Sequence, residues 1–303
     1  MKAKLGIAPI AWSNDDLPEL GGETTLETCL SESKLAGFSG VETGGKFPKS
    51  SEELGPILKQ HQLYLASGWY SGTVLTNDLE KEKDQAFDQL NLFKDLGASC
   101  LAYGETAGTI QNVRHAALDT KIKIHHEDFK EYGKKLTAFA EYCAEFNMPI
   151  SFHHHMGTAI ETEEELDNLM NNTGEAVQLL FDTGHMTFAR GNSLNVIKKY
   201  AKRINHVHTK DIRSEVINSL DKSNESFLDA VLKGAFTVPG DGNINFKEIV
   251  EVLAQNNYQG WFIVEAEQDP AKANPFEYAK IGYKELVECL NLHGYQIEEY
   301  PNE

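Results

Sequence analysis

The sequence predicts an α/β fold in which eight parallel strands close into one barrel. Short β-type segments alternate with longer helical segments along the 303 residues, and this alternation is typical of parallel strands joined by helical crossovers. Eight β/α units in a chain of this length match a TIM barrel, which usually takes roughly 250 residues. Residues 7–10, Ile-Ala-Pro-Ile, stand where a doubly wound nucleotide-binding sheet would carry GxGxxG, so that alternative is disfavoured.

The predicted strands are short apolar runs that end at turn-forming or polar residues. The first run contains Pro9 near its end, and the second is followed by Thr43, Gly44 and Gly45. The eight predicted strands are residues 4–10, 38–42, 63–67, 99–103, 149–153, 177–182, 204–208 and 261–265.

The predicted helices carry apolar stripes and end signals. The clearest is 127–147, where Phe129, Tyr132 and Leu136 begin a stripe with the 3.6-residue period of a helix. Gly97 closes the helix 79–96, and Pro275 occupies the first position of the last helix, which ends near residue 294. The remaining predicted helices are 25–36, 50–61, 162–171, 193–201 and 245–255.

One connection is longer than a minimal barrel requires. Residues 211–243 follow the seventh predicted strand and include the serine-, asparagine- and aspartate-rich stretch 219–226. Because long loops in compact domains are usually functional, we expect this segment to cover the catalytic rim as a lid. The chain shows no linker or low-complexity segment, so a single domain over residues 1–303 is predicted.

Composition narrows the classes of partner. Hydrophobic residues make up 41% and charged residues 24%, which are ordinary globular values. With 28 basic and 46 acidic residues the net charge is −18, which disfavours nucleic acid and anionic membranes as partners. No apolar run is long enough for a membrane span or a signal sequence. The four cysteines form no CxxC pair and are expected to be free thiols in the cytoplasm. The sequence leaves open whether the chain forms a homo-oligomer.

Polar residues end four consecutive predicted strands. In a TIM barrel the carboxyl ends of the strands carry the reacting groups. The residues at these ends are His153, His154 and His155 after strand five, Asp182 and His185 after strand six, His206, His208 and Lys210 at strand seven, and Glu265 and Glu267 at strand eight. Imidazoles combined with carboxylates suit a borderline divalent ion such as Mn²⁺, Co²⁺, Fe²⁺ or Zn²⁺. The sequence therefore predicts a metal site at this rim.

Strand alternation indicates which of these side chains face the barrel axis. Successive side chains point to opposite faces, so His153 and His155 share one face and His154 points the other way. By the same reasoning His206 and His208 face inward, on either side of Val207.

Several motifs resemble the xylose-isomerase-like TIM barrel superfamily. They are Asp-Thr-Gly-His at 182–185, His-Val-His-Thr-Lys-Asp at 206–211 and Val-Glu at 264–265. Longer segments at 6–16, 40–48, 153–158 and 264–270 resemble the inosose dehydratases within that superfamily. The resemblance extends over essentially the whole chain.

The resemblance implies a set of metal ligands. The superfamily usually binds its metal through Glu, Asp, His and Glu, and the last three match Asp182, His208 and Glu265. His153 stands where most relatives have Glu, and we expect it to be the fourth ligand. His155, which matches a His found two residues further along in several relatives, is the alternative.

The resemblance also implies roles for other residues. The catalytic acid and base are expected among Glu265, His185, His155 and Lys210, and the substrate is expected to contact Glu42, Arg213, Glu267 and Trp12. The family activity would be the metal-dependent dehydration of 2-keto-myo-inositol (scyllo-inosose) to a trihydroxycyclohexanedione in inositol catabolism, through α-proton abstraction and an enolate. Mn²⁺ or Co²⁺, and glutathione, are the implied cofactors.

Two alternatives use the same residues. One is an isomerase or epimerase of a ketose or keto-inositol, which the replacement of the strand-five Glu by His153 makes weaker. The other is a sugar- or inositol-binding protein without catalysis, which the intact set of Asp182, His208 and Glu265 disfavours.

Overall fold

The computed structural model describes residues 1–301 and confirms the barrel. Eight parallel strands hydrogen-bond in chain order, and the last of them, 260–264, also pairs with the first, which closes the sheet. At the closure Ala3 lies opposite Gly260 and Ile7 opposite Val264. The barrel strands are β1 (Lys2–Ile7), β2 (Gly40–Thr43), β3 (Tyr64–Gly72), β4 (Leu101–Glu105), β5 (Ile150–His153), β6 (Gln178–Asp182), β7 (Ile204–Thr209) and β10 (Gly260–Val264). Outside the barrel, β8 (Asp211–Ile212) pairs with β9 (Phe236–Thr237), and β11 (Gln296–Ile297) pairs with β1.

The helices surround the barrel and bury their apolar faces against the strands. The helix ends follow local chemistry. Asn274 precedes Pro275, the first residue of the last helix, and its side chain accepts a hydrogen bond from the Glu277 N–H. Gly97, which follows the helix 79–96, adopts a left-handed conformation with φ 71°. The helices are α1 (Leu26–Ala36), α2 (Ser51–Gln60), α3 (Leu79–Leu96), α4 (Phe129–Glu145), α5 (Glu163–Asn172), α6 (Thr183–Phe188), α7 (Ser193–Tyr200), α8 (Ser214–Ser219), α9 (Phe227–Leu232), α10 (Phe246–Gln255) and α11 (Pro275–Leu292).

Strand alternation places apolar residues outward and polar residues on the axis. In β5, Phe152 joins the core between sheet and helices, whereas the Ser151 hydroxyl lies 2.6 Å from Oδ1 of Asn205. In β7, Val207 belongs to the same core, and His206 and His208 on either side of it point inward. This arrangement agrees with the faces predicted for β7.

The segment 211–243 is folded rather than a structureless loop. It contains the antiparallel pair β8–β9 and the short helices α8 and α9. Its side chains form a second apolar cluster at the rim, in which Phe227, Phe236 and Ile212 pack with Met156 and Phe188. The predicted loop is therefore a small folded subdomain whose apolar core is shared with residues of the barrel rim.

Two further features concern membranes and cysteines. Within residues 1–301, no helix has both the length and the hydrophobicity that crossing a bilayer requires. The four cysteines, Cys29, Cys100, Cys143 and Cys289, are buried free thiols.

Candidate functional site

Four strand ends bring together two imidazoles and two carboxylates. His153 ends β5, Asp182 ends β6, His208 lies near the end of β7, and Glu265 follows β10. One nitrogen or oxygen atom of each lies within 4.8 Å of the others. All four side chains are buried, Glu265 being the most exposed at 9%. These four residues are the metal ligands predicted from the sequence, and the fold brings them together at one place.

The free atoms of this group have the chemistry of a metal centre. Nδ1 of His208 is 3.6 Å from Oδ2 of Asp182 and 2.6 Å from Oε2 of Glu265, and Nε2 of His153 is 3.8 Å from the same Asp182 oxygen. Three of these atoms, Oδ2 of Asp182, Nδ1 of His208 and Oε2 of Glu265, are buried, and among the described residues their close polar contacts are with one another and with Lys210, without good hydrogen-bond geometry. Buried polar atoms are normally paired, so this convergence fits a divalent cation.

Asp182, His153 and His208 each have a second polar atom that points away from the centre and is hydrogen-bonded to the protein. Oδ1 of Asp182 accepts a hydrogen bond from the His185 N–H (2.8 Å) at the start of α6. Nδ1 of His153 donates to the His154 carbonyl (2.8 Å), which leaves a lone pair on Nε2. Nε2 of His208 faces Glu42, so its Nδ1 faces the centre. Such outer hydrogen bonds orient metal-binding imidazoles.

Charge reinforces this arrangement. Burial, with His208 and His155 nearby, lowers the pKa of His153 well below its ordinary value, so its ring is neutral and able to bind a cation. Burial opposes a charged His208, but the carboxylates of Glu42 and Glu265 raise its pKa well above the ordinary value. A proton on His208 thus offsets the carboxylates in this structure, and a cation that binds Nδ1 of His208 would take the place of that proton.

A second cluster lies behind the first and is built around Lys210. The Lys210 ammonium donates to Glu267 (2.6 Å) and His185 (2.8 Å) and lies 3.4 Å from Oε2 of Glu265. The rings of His155 and His185 are 3.8 Å apart between centroids. Lys210 is fully buried and thus links the metal-type centre to the second cluster.

The pKa values of the second cluster follow from burial. Burial is the largest influence on His155, whose pKa falls to about 3, with Lys210 adding to the effect. Burial and the charge of Glu265 outweigh Lys210 and raise the pKa of Glu267 to about 7. The cluster thus combines a neutral imidazole with a carboxyl group that exchanges its proton near neutral pH.

The metal-type centre opens onto a cavity of about 680 Å³. One side of the cavity is formed by Glu42, His153, His155, His208 and Glu265, and the remaining lining residues are Ala8, Pro9, Ile10, Asp15, Asp16, Thr43, Gly44, Trp69, Ala102 and Gln111. Trp69 stands edge-on to the rings of His153 and His155, with centroid distances of 5.5 and 5.7 Å. A cavity with a few convergent polar groups is the usual form of a small-molecule site.

Two residues expected to contact substrate lie elsewhere. Trp12 is 1% exposed and its indole N–H donates to Glu32. The Arg213 guanidinium binds the Gly234 carbonyl and the Asp241 carboxylate and so holds the β8–β9 subdomain together. Neither residue lines the cavity, so their positions do not support the expected contacts.

Glu42 and Glu267, which were also predicted to contact substrate, are engaged by other side chains of the protein. Glu42 lines the cavity, but its carboxylate is engaged by Nε2 of His206 (2.9 Å) and of His208 (3.2 Å). Glu267 is 1% exposed, pairs with Lys210 and does not line the cavity. The structure thus places Glu42 behind His208, and Glu267 behind His155.

Sequence reasoning missed Asp16, Gln111 and Trp69 in the cavity wall. Trp69 was missed because the predicted third strand ended at residue 67, whereas β3 continues to Gly72. Asp16 stands in an Asn-Asp-Asp run soon after β1 that could have marked a polar rim. Gln111 carries no local signal, because the loop after β4 follows no regular pattern.

Comparisons with known proteins agree with this geometry. A family model described as a xylose isomerase-like TIM barrel matches residues 30–291. The rhizopine catabolism protein MocC of Rhizobium meliloti is 46% identical over 298 residues, which are 98% of this chain and 91% of MocC. Inosose dehydratase 2 of Bacillus cereus is 46% identical over 291 residues, 95% of this chain and 98% of the relative.

Solved structures share the fold at low identity. A crystal structure of the IOLI protein with a bound zinc atom has a TM-score of 0.67 at 17% identity and covers 96% of this chain and 99% of its own. A sugar phosphate isomerase/epimerase from Parabacteroides distasonis has a TM-score of 0.67 at 15% identity and covers 94% of both chains. With the family model and the curated relatives, these findings show that the chain belongs to the xylose isomerase-like TIM barrel family, among the inosose dehydratases and MocC.

Proposed function

We propose that this protein is an inosose dehydratase, a hydro-lyase that removes water from 2-keto-myo-inositol in inositol catabolism. The observation that carries the proposal is the set of four converging ligand-type side chains, three of which, His153, His208 and Glu265, line a polar cavity. Curated inosose dehydratases with 43–46% identity over more than nine-tenths of the chain support the choice of substrate.

We propose that His153, Asp182, His208 and Glu265 hold a divalent cation. Two imidazoles and two carboxylates suit Mn²⁺, Co²⁺, Fe²⁺ or Zn²⁺, and the family resemblance favours Mn²⁺ or Co²⁺ among them. A bound cation supplies Lewis-acid polarisation of the ketone, which makes the neighbouring C–H more acidic. The protein supplies the orientation: Glu42 holds His208 and the His154 carbonyl holds His153.

Loss of water needs one group that takes the α-proton and one that gives a proton to the leaving hydroxyl. His155 and Glu265 are the candidates that line the cavity. We assign removal of the α-proton to Glu265, whose carboxylate lines the cavity beside His208. We assign the protonation of the leaving hydroxyl to the Glu267 carboxyl group, which passes its proton through Nε2 of His155, 3.8 Å away. Nδ1 of His155 donates to the Met156 carbonyl, so Nε2 is the nitrogen that is free to accept and pass on this proton.

The residues behind His155 complete the proton path. His185 accepts a hydrogen bond from Lys210, and Lys210 also donates to Glu267. Because the pKa of Glu267 is about 7, this carboxyl group is able to store and return a proton near neutral pH. Phe227 and Phe236 pack against the rings of His155 and His185 and separate them from water.

The test is incubation of the purified, metal-loaded protein with scyllo-inosose. Absorbance follows formation of the dione, and mass spectrometry detects a product lighter by one water. We expect activity that a chelator abolishes and that Mn²⁺ or Co²⁺ restores, measured with and without glutathione because the resemblance implies that cofactor. An isomer of unchanged mass would instead indicate an epimerase, and an unaltered substrate would contradict the proposal.

We also propose that the enzyme is cytoplasmic and that its partner is a small molecule. Four buried free thiols suit the reducing cytoplasm. The net charge of −18 suits a small neutral substrate rather than nucleic acid or an anionic membrane. Fractionation of the native cells followed by immunodetection tests the location.

A further inference from the structure

The cavity wall contains a polar pair, Asp16 and Gln111, that does not belong to the metal-type centre. The amide nitrogen of Gln111 donates to Oδ2 of Asp16 at 3.3 Å, joining residues 95 positions apart in the chain. Both residues line the cavity that His153, His208 and Glu265 also line. The pair thus bridges the loop after β1 and the loop after β4 at the mouth of the site.

Asp16 is held in place by its own loop. Oδ1 of Asn14 accepts hydrogen bonds from the Asp16 and Leu17 N–H groups, both at 2.9 Å. Asn14 itself is 1% exposed. Oδ1 of Asp16 accepts no hydrogen bond from residues 1–301, so one carboxylate oxygen of a fixed side chain is free.

Gln111 is equally constrained. It is 5% exposed, and its Oε1 accepts a hydrogen bond from the Thr109 hydroxyl at 3.3 Å. The neighbouring Ile110 N–H donates to the Gly157 carbonyl at 3.0 Å, which ties this loop to the residues after β5. A side chain this well fixed presents its amide in one orientation.

The charges around the cavity indicate the kind of ligand. Glu42, Asp15, Asp16 and Glu265 all line it, so an anionic ligand would meet repulsion there. Burial, together with Asp15, raises the pKa of Asp16 against the opposing influence of Gln111. A partly desolvated carboxyl group with a free oxygen is suited to a hydroxyl donor.

We propose that Asp16 and Gln111 bind the hydroxyl groups of the cyclic polyol on the part of the ring remote from the ketone. This inference rests on the proposed function, since it names the residues that would recognise that substrate. A site built to bind a hydroxyl group discriminates strongly against an analogue that lacks it, because its polar atoms are then left unpaired. The pair is therefore a specificity determinant rather than part of the proton path.

The experiment compares scyllo-inosose with a keto-inositol that lacks one remote hydroxyl, using wild type, Asp16→Ala and Asp16→Asn. A hydrogen bond to a charged group predicts that Asp16→Ala lowers kcat/KM for scyllo-inosose roughly 10- to 100-fold. The same variant should change kcat/KM for the deoxy analogue by less than about threefold. Asp16→Asn retains an acceptor oxygen and should recover part of the loss.

Controls separate recognition from misfolding. Glu19→Gln removes one charge from an exposed position of the same loop, and Asn112→Ala alters the exposed neighbour of Gln111, so both should behave as wild type. Circular dichroism and metal content should be unchanged in every variant. Equal losses on both substrates in Asp16→Ala would overturn the proposal.

A binding arm keeps this test independent of the dehydration. Calorimetry measures binding of myo-inositol and a deoxy-inositol, neither of which has a ketone, to wild type and Asp16→Ala. Preference for myo-inositol that disappears in Asp16→Ala supports the pair even if wild type fails to dehydrate scyllo-inosose. Equal binding of the two polyols by wild type would overturn it.

Discussion

Each imidazole proposed as a ligand is oriented by its second nitrogen. His153 donates from Nδ1 to the His154 carbonyl, while His208 turns Nε2 toward Glu42. These contacts select the nitrogen that faces the centre, Nε2 in His153 and Nδ1 in His208. Replacing Glu42, the side chain that orients His208, should therefore weaken metal binding by about 10- to 100-fold even though every ligand is retained.

The three consecutive histidines give a residue-level prediction. His153→Ala should lose metal affinity by more than about 100-fold, because a direct ligand matters more than its support. His155→Ala should retain the metal and lose turnover, and His154→Ala should affect neither. Metal content by mass spectrometry and turnover on the three variants check this. Loss of metal in His154→Ala alone would contradict the assigned register.

His154 also predicts a dependence of stability on pH. The ring is fully buried, and burial lowers its pKa from 6.5 to about 4. The neutral form is favoured in the folded state, so the contribution is complete above pH 6.5 and is lost as the pH falls toward about 4. The loss amounts to about 3 kcal/mol.

His154→Gln removes this titration and retains an acceptor for the Asp182 N–H. Urea unfolding of the metal-free proteins, above pH 6.5 and near pH 4, should show a steeper loss of unfolding free energy in wild type. Parallel pH profiles in the two proteins would show that His154 titrates equally in the folded and unfolded states.

At the level of elements, the buried carboxylate of Asp211 joins the two ends of the subdomain 211–243 to each other. Asp211 accepts hydrogen bonds from the Ile212, Gly242 and Ile244 N–H groups at 2.8, 3.0 and 2.9 Å. These bonds join β8 to the turn that leads into α10. Burial nevertheless raises the pKa of Asp211 to about 6, against the backbone donors.

Phe227 lies in the segment 211–243, which is predicted to cover the catalytic rim as a lid. The ring of Phe227 is fully buried and lies 5.1 Å from the ring of His155. Phe227→Ala should lower turnover, because His155 loses the wall that excludes water, and should cost about 3–5 kcal/mol of stability. Shortening 219–226 should act in the same way by displacing the Ser226 cap of α9.

Ser223→Ala, at the exposed tip of that turn, serves as the control and should match wild type. Initial rates and thermal unfolding distinguish the two effects of Phe227. If Phe227→Ala keeps wild-type turnover while folded, the subdomain does not protect the site.

At the scale of the whole molecule, barrel closure assembles the site from distant parts of the chain. The pairing of β1 with β10 places the loop that carries Asp16 beside Glu265. Several buried carboxylates then share one region with Lys210 as the buried ammonium group. A bound cation would offset their repulsion and stabilise the whole fold.

Metal removal should therefore lower the melting temperature. Binding at about 100 times Kd contributes about 2.7 kcal/mol, which for a chain of this size corresponds to roughly 5 °C. Calorimetry with Mn²⁺ and with a chelator measures the shift. Asp182→Ala and His208→Ala should show no metal-induced shift, and a wild-type shift in either variant would place the ion elsewhere.

The order of elements and the rim position of Asp182, His208 and Glu265 were predictable because both depend on local patterns. A strand is recognised by a period of two, and the carboxyl end of a parallel strand lies at one rim by topology. The helix α6 escaped prediction because its six residues are too few to show a helical period.

Tertiary structure alone decided which groups meet. Gln111 reaches Asp16 across 95 residues, Lys210 joins His185 to Glu267, and Glu42 holds His208. Each contact depends on barrel closure and on the packing of irregular loops, whose conformations have no sequence period. The chain therefore specifies its strand-end chemistry locally, whereas the walls and the proton path of the cavity arise only when the fold is complete.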